Sequence, residues 1–365
     1  MPIGKKATIP VDTGRAEQLQ FLRFLAFFNV YITHAEDWIF FQYPTSRCGT
    51  AAVSFFFMLS GLVTGYSLFG RDIHLGLRDQ GKYLWKKLKK VYPLYFFTTL
   101  YTFLYYGVSE LTAIVERSEF PMQLLRNLLL LQSWFQEGPF TYNSVGWFLS
   151  TLLFLWLLNL PVMFLLNKVA SRPRGWFLLL AGLGGVLFLT AVYCYLTKPL
   201  DMTYWQYIFP PARAGEYLSG MILGVLIRLV KPHLKSEKST QLLFTVLEVG
   251  ALCYWFYMLS HSGGSWRMRI YAWLLPNVCV LSFFTCGIGW ISALFRWKPL
   301  VRLGDVSFEC FLIHKIFIMQ YAIAYGVHAS SEIENAVIFL LCLALTLMLS
   351  FLIHKWPEKQ RISSK

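Results

Sequence analysis

The sequence predicts an all-α membrane protein, a polytopic bundle of about ten transmembrane helices with both termini cytoplasmic. Three observations predict it. Of the 365 residues, 56% are hydrophobic and only 14% charged, which is more apolar surface than a soluble domain can hide. Apolar runs of roughly 18 residues or more recur, the length that crosses about 30 Å of hydrocarbon as a helix. Lys and Arg favour one set of alternate loops throughout.

The runs give spans at 19–41, 51–70, 91–108, 146–167, 176–196, 208–230, 240–260, 270–294, 304–327 and 335–354. The stretch "PMQLLRNLLLLQSWF" (121–135) is apolar but short, and reads as an interfacial or re-entrant piece. The first span follows a polar tail of mixed charge, residues 1–18. It is too long for a cleaved signal and lacks a small-residue cleavage site, so it reads as an uncleaved anchor. No soluble domain, low-complexity linker or internal repeat interrupts the pattern. Residues 1–365 therefore read as one integral membrane domain, with 1–18 and 355–365 as cytoplasmic tails.

An even number of spans leaves both ends on one side, and the cations choose which. Of 33 Lys and Arg, 25 fall in the flanks 1–23, 71–90, 168–174, 228–238, 296–302 and 355–365. Those flanks are expected to be cytoplasmic in a multi-pass protein of the plasma (inner) membrane. The same bias accounts for most of the net charge of +14. Topology and attraction to anionic lipid explain that charge better than nucleic-acid binding. Six of the seven cysteines fall in predicted spans and only Cys48 sits in an outer loop. No disulfide framework or metal-ligand spacing appears.

Ionisable groups inside spans are expensive in lipid, so each is a functional candidate. "RFLAFFNVYITH" (23–34) carries two, Arg23 and His34. Eleven residues are three turns plus roughly 20°, so both lie on one face, about 16 Å apart along the axis. Arg23 sits at the cytoplasmic interface and His34 beyond the midplane. Glu36 and Asp37 follow at once, and Asp37 at i+3 can reach the imidazole side. A carboxylate there can fix the tautomer of a histidine and stabilise its imidazolium. Two readings stand at this point: a catalytic face, or an interfacial anchor plus a helix-packing hydrogen bond.

An Arg, ten intervening residues and a His in the first span resembles the signature of the acyltransferase 3 family of integral membrane acyltransferases. Other stretches agree in order along the chain. "FFFMLSG" (55–61), "KKLKKVYPLYFF" (86–97), "SVGWFLS" (144–150), "RAGEYLSG" (213–220) and "LGDVSFECFLIH" (303–314) resemble successive family motifs. The resemblance is to the stand-alone type, without a fused SGNH-hydrolase-like domain. It implies an enzyme that takes an acyl group, usually acetyl, from a coenzyme A thioester at the cytoplasmic side. The acceptor it implies is a hydroxyl of a glycan or lipid-linked sugar facing outside. It carries the family histidine onto His34 and the family arginine onto Arg23. Two departures stand out. Leu152 replaces a carboxylate that many members have in the fourth span, and Lys89 and Lys90 stand where Arg is common.

The residues suit that chemistry on their own terms. A sugar hydroxyl needs a base in hydrogen-bond reach, and histidine, with an ordinary pKa of about 6.5, can supply it. Acyl-CoA is an anion at one end and a thioester at the other. Arg23 with some of Lys86, Lys87, Lys89 and Lys90, and Ser60 nearby, can form a cationic rim for its phosphates. Direct transfer and a covalent acyl-histidine route both remain open, and no metal is called for. Arg213 and Glu216, one turn apart, either pair or hold the acceptor. Trp147 either stacks on sugar or belongs to an interfacial belt. His314 and Lys315 can line the cavity from the ninth span. Ser60 with Gly61, and Gly220 with Gly224, read first as close helix contacts. His261, His328 and His354 lie at span ends and read as ordinary interface residues. The competing class is a transporter or flippase for an anionic amphiphile, against which stands the lack of paired, broken segments in two halves.

Overall fold

The computed structural model describes residues 16–38, 49–106, 119–235, 237–261, 270–325 and 331–363. Every regular element among them is helical. In chain order these are α1 (Gln18–Trp38), α2 (Gly49–Leu68), α3 (Leu77–Tyr106), α4 (Phe120–Leu128), α5 (Trp147–Leu157), α6 (Asn159–Ala170) and α7 (Gly175–Leu196). The second half holds α8 (Ala214–Val230), α9 (Lys238–His261), α10 (Ile270–Cys286), α11 (Trp290–Phe295), α12 (Lys298–Asp305), α13 (Ser307–Tyr325) and α14 (Glu332–Ser363). The short apolar stretch after 120 forms α4, nine residues long, as expected of a segment that does not span.

Each predicted span finds a helical counterpart, but not each is a single membrane-crossing helix. Four helices, α2, α7, α9 and α14, are long and apolar enough to cross a membrane by themselves. The bent pairs α5–α6 and α12–α13 raise the number to six if each pair is one span. The protein is thus a multi-pass membrane protein, with four to six candidate crossings among the described residues by length and apolarity. Three departures have visible causes. The predicted span 146–167 bends by 47° between α5 and α6. Pro161 lacks an N–H and its ring excludes the Leu157 carbonyl. Gln80 Nε2 donates to the Leu157 and Trp156 carbonyls instead, at 3.1 and 3.4 Å.

The predicted span 270–294 stops at Cys286, leaving α10 with 17 residues. Gly287 there has φ +69°, a left-handed backbone that ends the helix. The next helix, α11, is held from α9: the buried Glu248 accepts from the Ser292 amide at 3.1 Å and from its hydroxyl at 2.5 Å. The predicted span 208–230 begins late, because Pro210 and Pro211 open a 3₁₀ turn and the α-helix starts only at Ala214. In α1 the polar residues Gln18, Gln20, Arg23, Asn29 and His34 lower the hydropathy of an otherwise apolar helix.

Packing separates an inner layer from an outer one. In α2, 67% of the apolar window is buried, against 22% in each of α7, α9 and α14. The three outer helices therefore present most of their apolar surface outward, where lipid is the natural solvent. The inner layer is built on α2 crossing α8. A Cβ on Gly61 would overlap the Tyr217 carbonyl, and one on Gly220 would overlap the Met58 carbonyl. Gly65 and Gly224 extend the seam, the small-residue contact expected of Gly61, Gly220 and Gly224. Against this layer lies α1, with the turn of α12 crossing its start so closely that Gly304 meets the Gln20 backbone. The bend of 61° from α12 into α13 then sends α13 along α1.

Candidate active site

The start of α1 opens on a cavity of about 540 Å³, within the usual range of roughly 300–1,000 Å³ for small-molecule sites. Its walls come from α1, α2, α3, α5, α8, α10 and α13. Four cations line it: Arg23, Arg71, Lys87 and Arg228. No carboxylate stands among its described lining residues. The rest of the lining is largely apolar, including Leu59, Leu62, Leu149 and Leu152, with Ser60, Ser67 and Ser307 as polar points. Such a space suits a ligand with an anionic end and an apolar arm.

The local sequence explains which cations arrive there. On α3, Lys87 and Val91 are i and i+4 and share the face that meets the cavity. Lys86, Lys89 and Lys90 are exposed and lie off that face, so the expected lysine rim narrows to Lys87. Its ammonium lies within 5.5 Å of the Tyr83 ring centre and 5.9 Å of that of Trp156. Burial, followed by the charges of Lys90 and Lys86, pushes Lys87 below the usual lysine range. Arg71 and Arg228 complete the rim. Arg228 stacks over Tyr66, 5.0 Å from the ring centre. Both stand in flanks that the charge bias marks as cytoplasmic, which was the available signal. Arg23 lines the cavity while its Nη1 donates to Gln20 Oε1 at 3.2 Å.

Phe56, Phe148 and Phe311 also line the cavity. Their rings pack edge to face or tilted, with centroids 5.2–6.1 Å from Phe311. One turn further along α13 stands His314, its ring centre 6.1 Å from that of Phe311. There α13 meets the far part of α1. His34 Nδ1 lies 2.8 Å from His314 Nε2, and the rings stack at 5.1 Å. His314 is fully buried, and its Nδ1 lies 3.1 Å from the Cys310 carbonyl oxygen. Phe27 and Tyr31, on the α1 face between Arg23 and His34, wall the His314 ring at 5.6 and 6.2 Å. Tyr31 is itself tied down by donation to the Phe339 carbonyl at 2.6 Å. The structure thus turns His314 toward His34, with both ring nitrogens engaged.

The remaining candidates lie elsewhere. Arg213 and Glu216 form a fully buried ion pair, Nε to Oε2 2.9 Å, with the guanidinium 4.8 Å from the Phe57 ring centre. Trp147 is buried against Phe57 and Tyr207. His354 pairs with Glu309 at 2.8 Å, and His261 Nδ1 lies 3.0 Å from the Tyr257 carbonyl at the end of α9. The helix α1 carries Glu36 and Asp37, but their side chains lie outside the described residues, as do Cys48 and His328.

An inner helical layer thus carries a cation-lined cavity and, beside it, a contact between His34 and the buried His314 in a multi-pass membrane protein. The chain belongs to the acyltransferase 3 family, whose acyltransferase domain matches residues 17–355. It is also similar to the acyltransferase MdmB of Streptomyces mycarofaciens, at 28% identity over 244 residues. That match takes in 60% of this chain and 59% of the relative, so the chain spans less than two thirds of the relative's length. No solved structure matches the chain.

Proposed function

We propose that the protein is a membrane-embedded O-acyltransferase of the plasma membrane. It moves an acyl group, acetyl by preference, from cytoplasmic acyl-CoA to a hydroxyl of an extracytoplasmic glycan or lipid-linked saccharide. The single observation that carries this reading is the cavity lined both by four cations and by Phe311, which stands one helical turn before His314, the partner of His34. Family membership and the acyltransferase relative support acyl transfer as the reaction. The rim residues Arg23, Arg71, Lys87 and Arg228 all come from flanks that the cation bias assigns to the cytoplasm, which supports entry of the donor from that side.

In this reading the phosphates of coenzyme A pair with the rim, and the pantetheine arm runs along the apolar wall past Phe311. His34 takes the proton of the acceptor hydroxyl as its oxygen attacks the thioester carbonyl. The tetrahedral intermediate then collapses: the C–S bond breaks, and the departing thiolate sulfur receives the proton from His34. The products are the O-acyl ester and coenzyme A. No metal takes part in this scheme. Arg23 and the rim bind the donor equally in ground and transition states, so they act on KM, whereas His34 acts on kcat.

The test uses the full chain in proteoliposomes made with lipids and glycolipids extracted from the source membrane, supplied with radiolabelled acetyl-CoA. Release of free coenzyme A together with label in a lipid or glycan fraction is the expected result. Passage of an intact amphiphile without thioester cleavage would overturn the enzyme reading in favour of a transporter.

A further inference from the structure

Two hydrogen bonds at the histidine pair fix where the protons sit. A carbonyl oxygen only accepts, so at 3.1 Å from the Cys310 carbonyl the Nδ1 of His314 carries a hydrogen and donates it. In a neutral ring Nε2 is then the lone-pair nitrogen. That nitrogen lies 2.8 Å from His34 Nδ1, so the hydrogen between them belongs to His34 Nδ1. The lone pair of His34 is left on Nε2, the nitrogen turned away from His314. We infer that His314 is a positioning residue: it holds His34 as the Nδ1–H tautomer and aims Nε2 as the base.

This inference rests on the acyl-transfer reading and adds the means by which the base is held. A carboxylate commonly does this work for a histidine base, accepting from one ring nitrogen so that the other is free to take a proton. Here a second imidazole does so. When His34 Nε2 takes the hydroxyl proton, the new imidazolium keeps its Nδ1–H donated to His314 Nε2, and that bond becomes charge-assisted. His314 itself neither gains nor loses a proton. The ring of His314 is kept from rotating by Phe27, Tyr31 and Phe311 around it and by the bond to Cys310. The backbone of α13 therefore sets the protonation pattern at α1.

The test has two arms on the full chain in lipid. The first needs no turnover. Solid-state ¹⁵N NMR of ring-labelled histidine, with the His34 signals assigned by their loss in His34→Asn, is expected to show hydrogen on Nδ1 of His34. It is expected to shift to a mixture of tautomers in His314→Leu. Hydrogen on Nε2 of His34 in the unsubstituted protein would overturn the inference. The second arm reads acetyl-CoA turnover. His314→Leu should lower kcat about tenfold or more and leave donor KM within about twofold. His314→Gln, whose Oε1 can accept from His34 Nδ1, should recover several-fold of the loss. In a His34→Ala background His314→Leu should cost nothing further, because residues that act as a unit are not additive. An equal fold-loss in both backgrounds, or full kcat in His314→Leu, would overturn the positioning role. Absence of turnover in the unsubstituted protein would instead sink the acyl-transfer reading, and the NMR arm would still decide the tautomer.

Discussion

The two ends of α1 are built in opposite ways. Near its start, Arg23 borders an open cavity with three other cations, drawn from two other helices and a loop. Eleven residues on, His34 meets a fully buried ring whose two nitrogens are both committed and whose faces are walled by aromatics. One end is an open space lined by several cations, and the other is a direct contact between two rings. The difference teaches what each end can do. A roomy cationic site tolerates a flexible polyanion and gains affinity from several weak contacts. A closed site with one hydrogen-bond pattern selects a single protonation state, which a base needs.

The comparison breaks first at His34. His34→Ala should leave a folded, membrane-inserted protein whose kcat falls at least about 100-fold, the low end for a lost general base. Donor KM should stay close to its original value. Near-normal turnover in this variant would remove the histidine end from the chemistry. Arg23→Ala should do the reverse, raising donor KM about tenfold, as loss of one charge-assisted hydrogen bond implies. Arg23→Lys should recover part of this, since the charge returns without the fork. Donor titration of both variants in oriented liposomes checks the pair. A change in kcat alone for Arg23→Ala would mean that the two ends are not separate.

Smaller effects sharpen the cavity end. Lys87→Gln should raise donor KM about threefold. The triple change of Lys86, Lys89 and Lys90 to Gln should move it less than twofold at physiological salt, because these side chains are exposed and off the lining, and salt screens exposed charges over about 8 Å. An equal response would restore the broad lysine rim. The smallest effect is one of pH. Burial holds the Lys87 ammonium below its usual range, so the empty site releases this proton earlier than a free lysine does. A bound phosphate favours the charged form, so binding takes the proton up. Donor KM should therefore rise with pH on the alkaline side. Lys87→Arg, which stays charged, should flatten that rise when KM is measured across the alkaline range.

Much of this was legible in the chain and some was not, for identifiable reasons. Arg23 and His34 announce themselves because a charge and a base in an apolar stretch are costly, and their spacing puts them on one face. The helical, membrane-embedded class follows from apolar length alone. The bends do not, because length cannot tell one helix from two that meet at an angle. Pro161 and Gly287 were present as signals, but a window of average hydropathy passes over single residues. Lys87 could have been chosen from its neighbours by helix geometry, since 100° per residue sends the others elsewhere. Arg71 and Arg228 carried only a topological signal. The bond from His34 to His314 spans 280 positions, and no local pattern encodes a contact made by two helices that meet only in the folded bundle.

The glycine seam between α2 and α8 has a consequence in time. Gly61 and Gly220 are 159 positions apart, and the chain is made from its N-terminus at about 5–20 residues per second. Helix α2, 67% buried over its apolar window, thus enters the bilayer on the order of ten seconds before the helix that covers it has been synthesised. During that interval lipid chains must fill the groove that the Tyr217 and Met58 backbones later share. Docking of α8 then expels those chains, so the late helix completes the early one. Truncation of the nascent chain before residue 214 should leave α2 inserted but accessible to lipid-phase crosslinkers along Gly61 and Gly65, and extension past residue 230 should protect it.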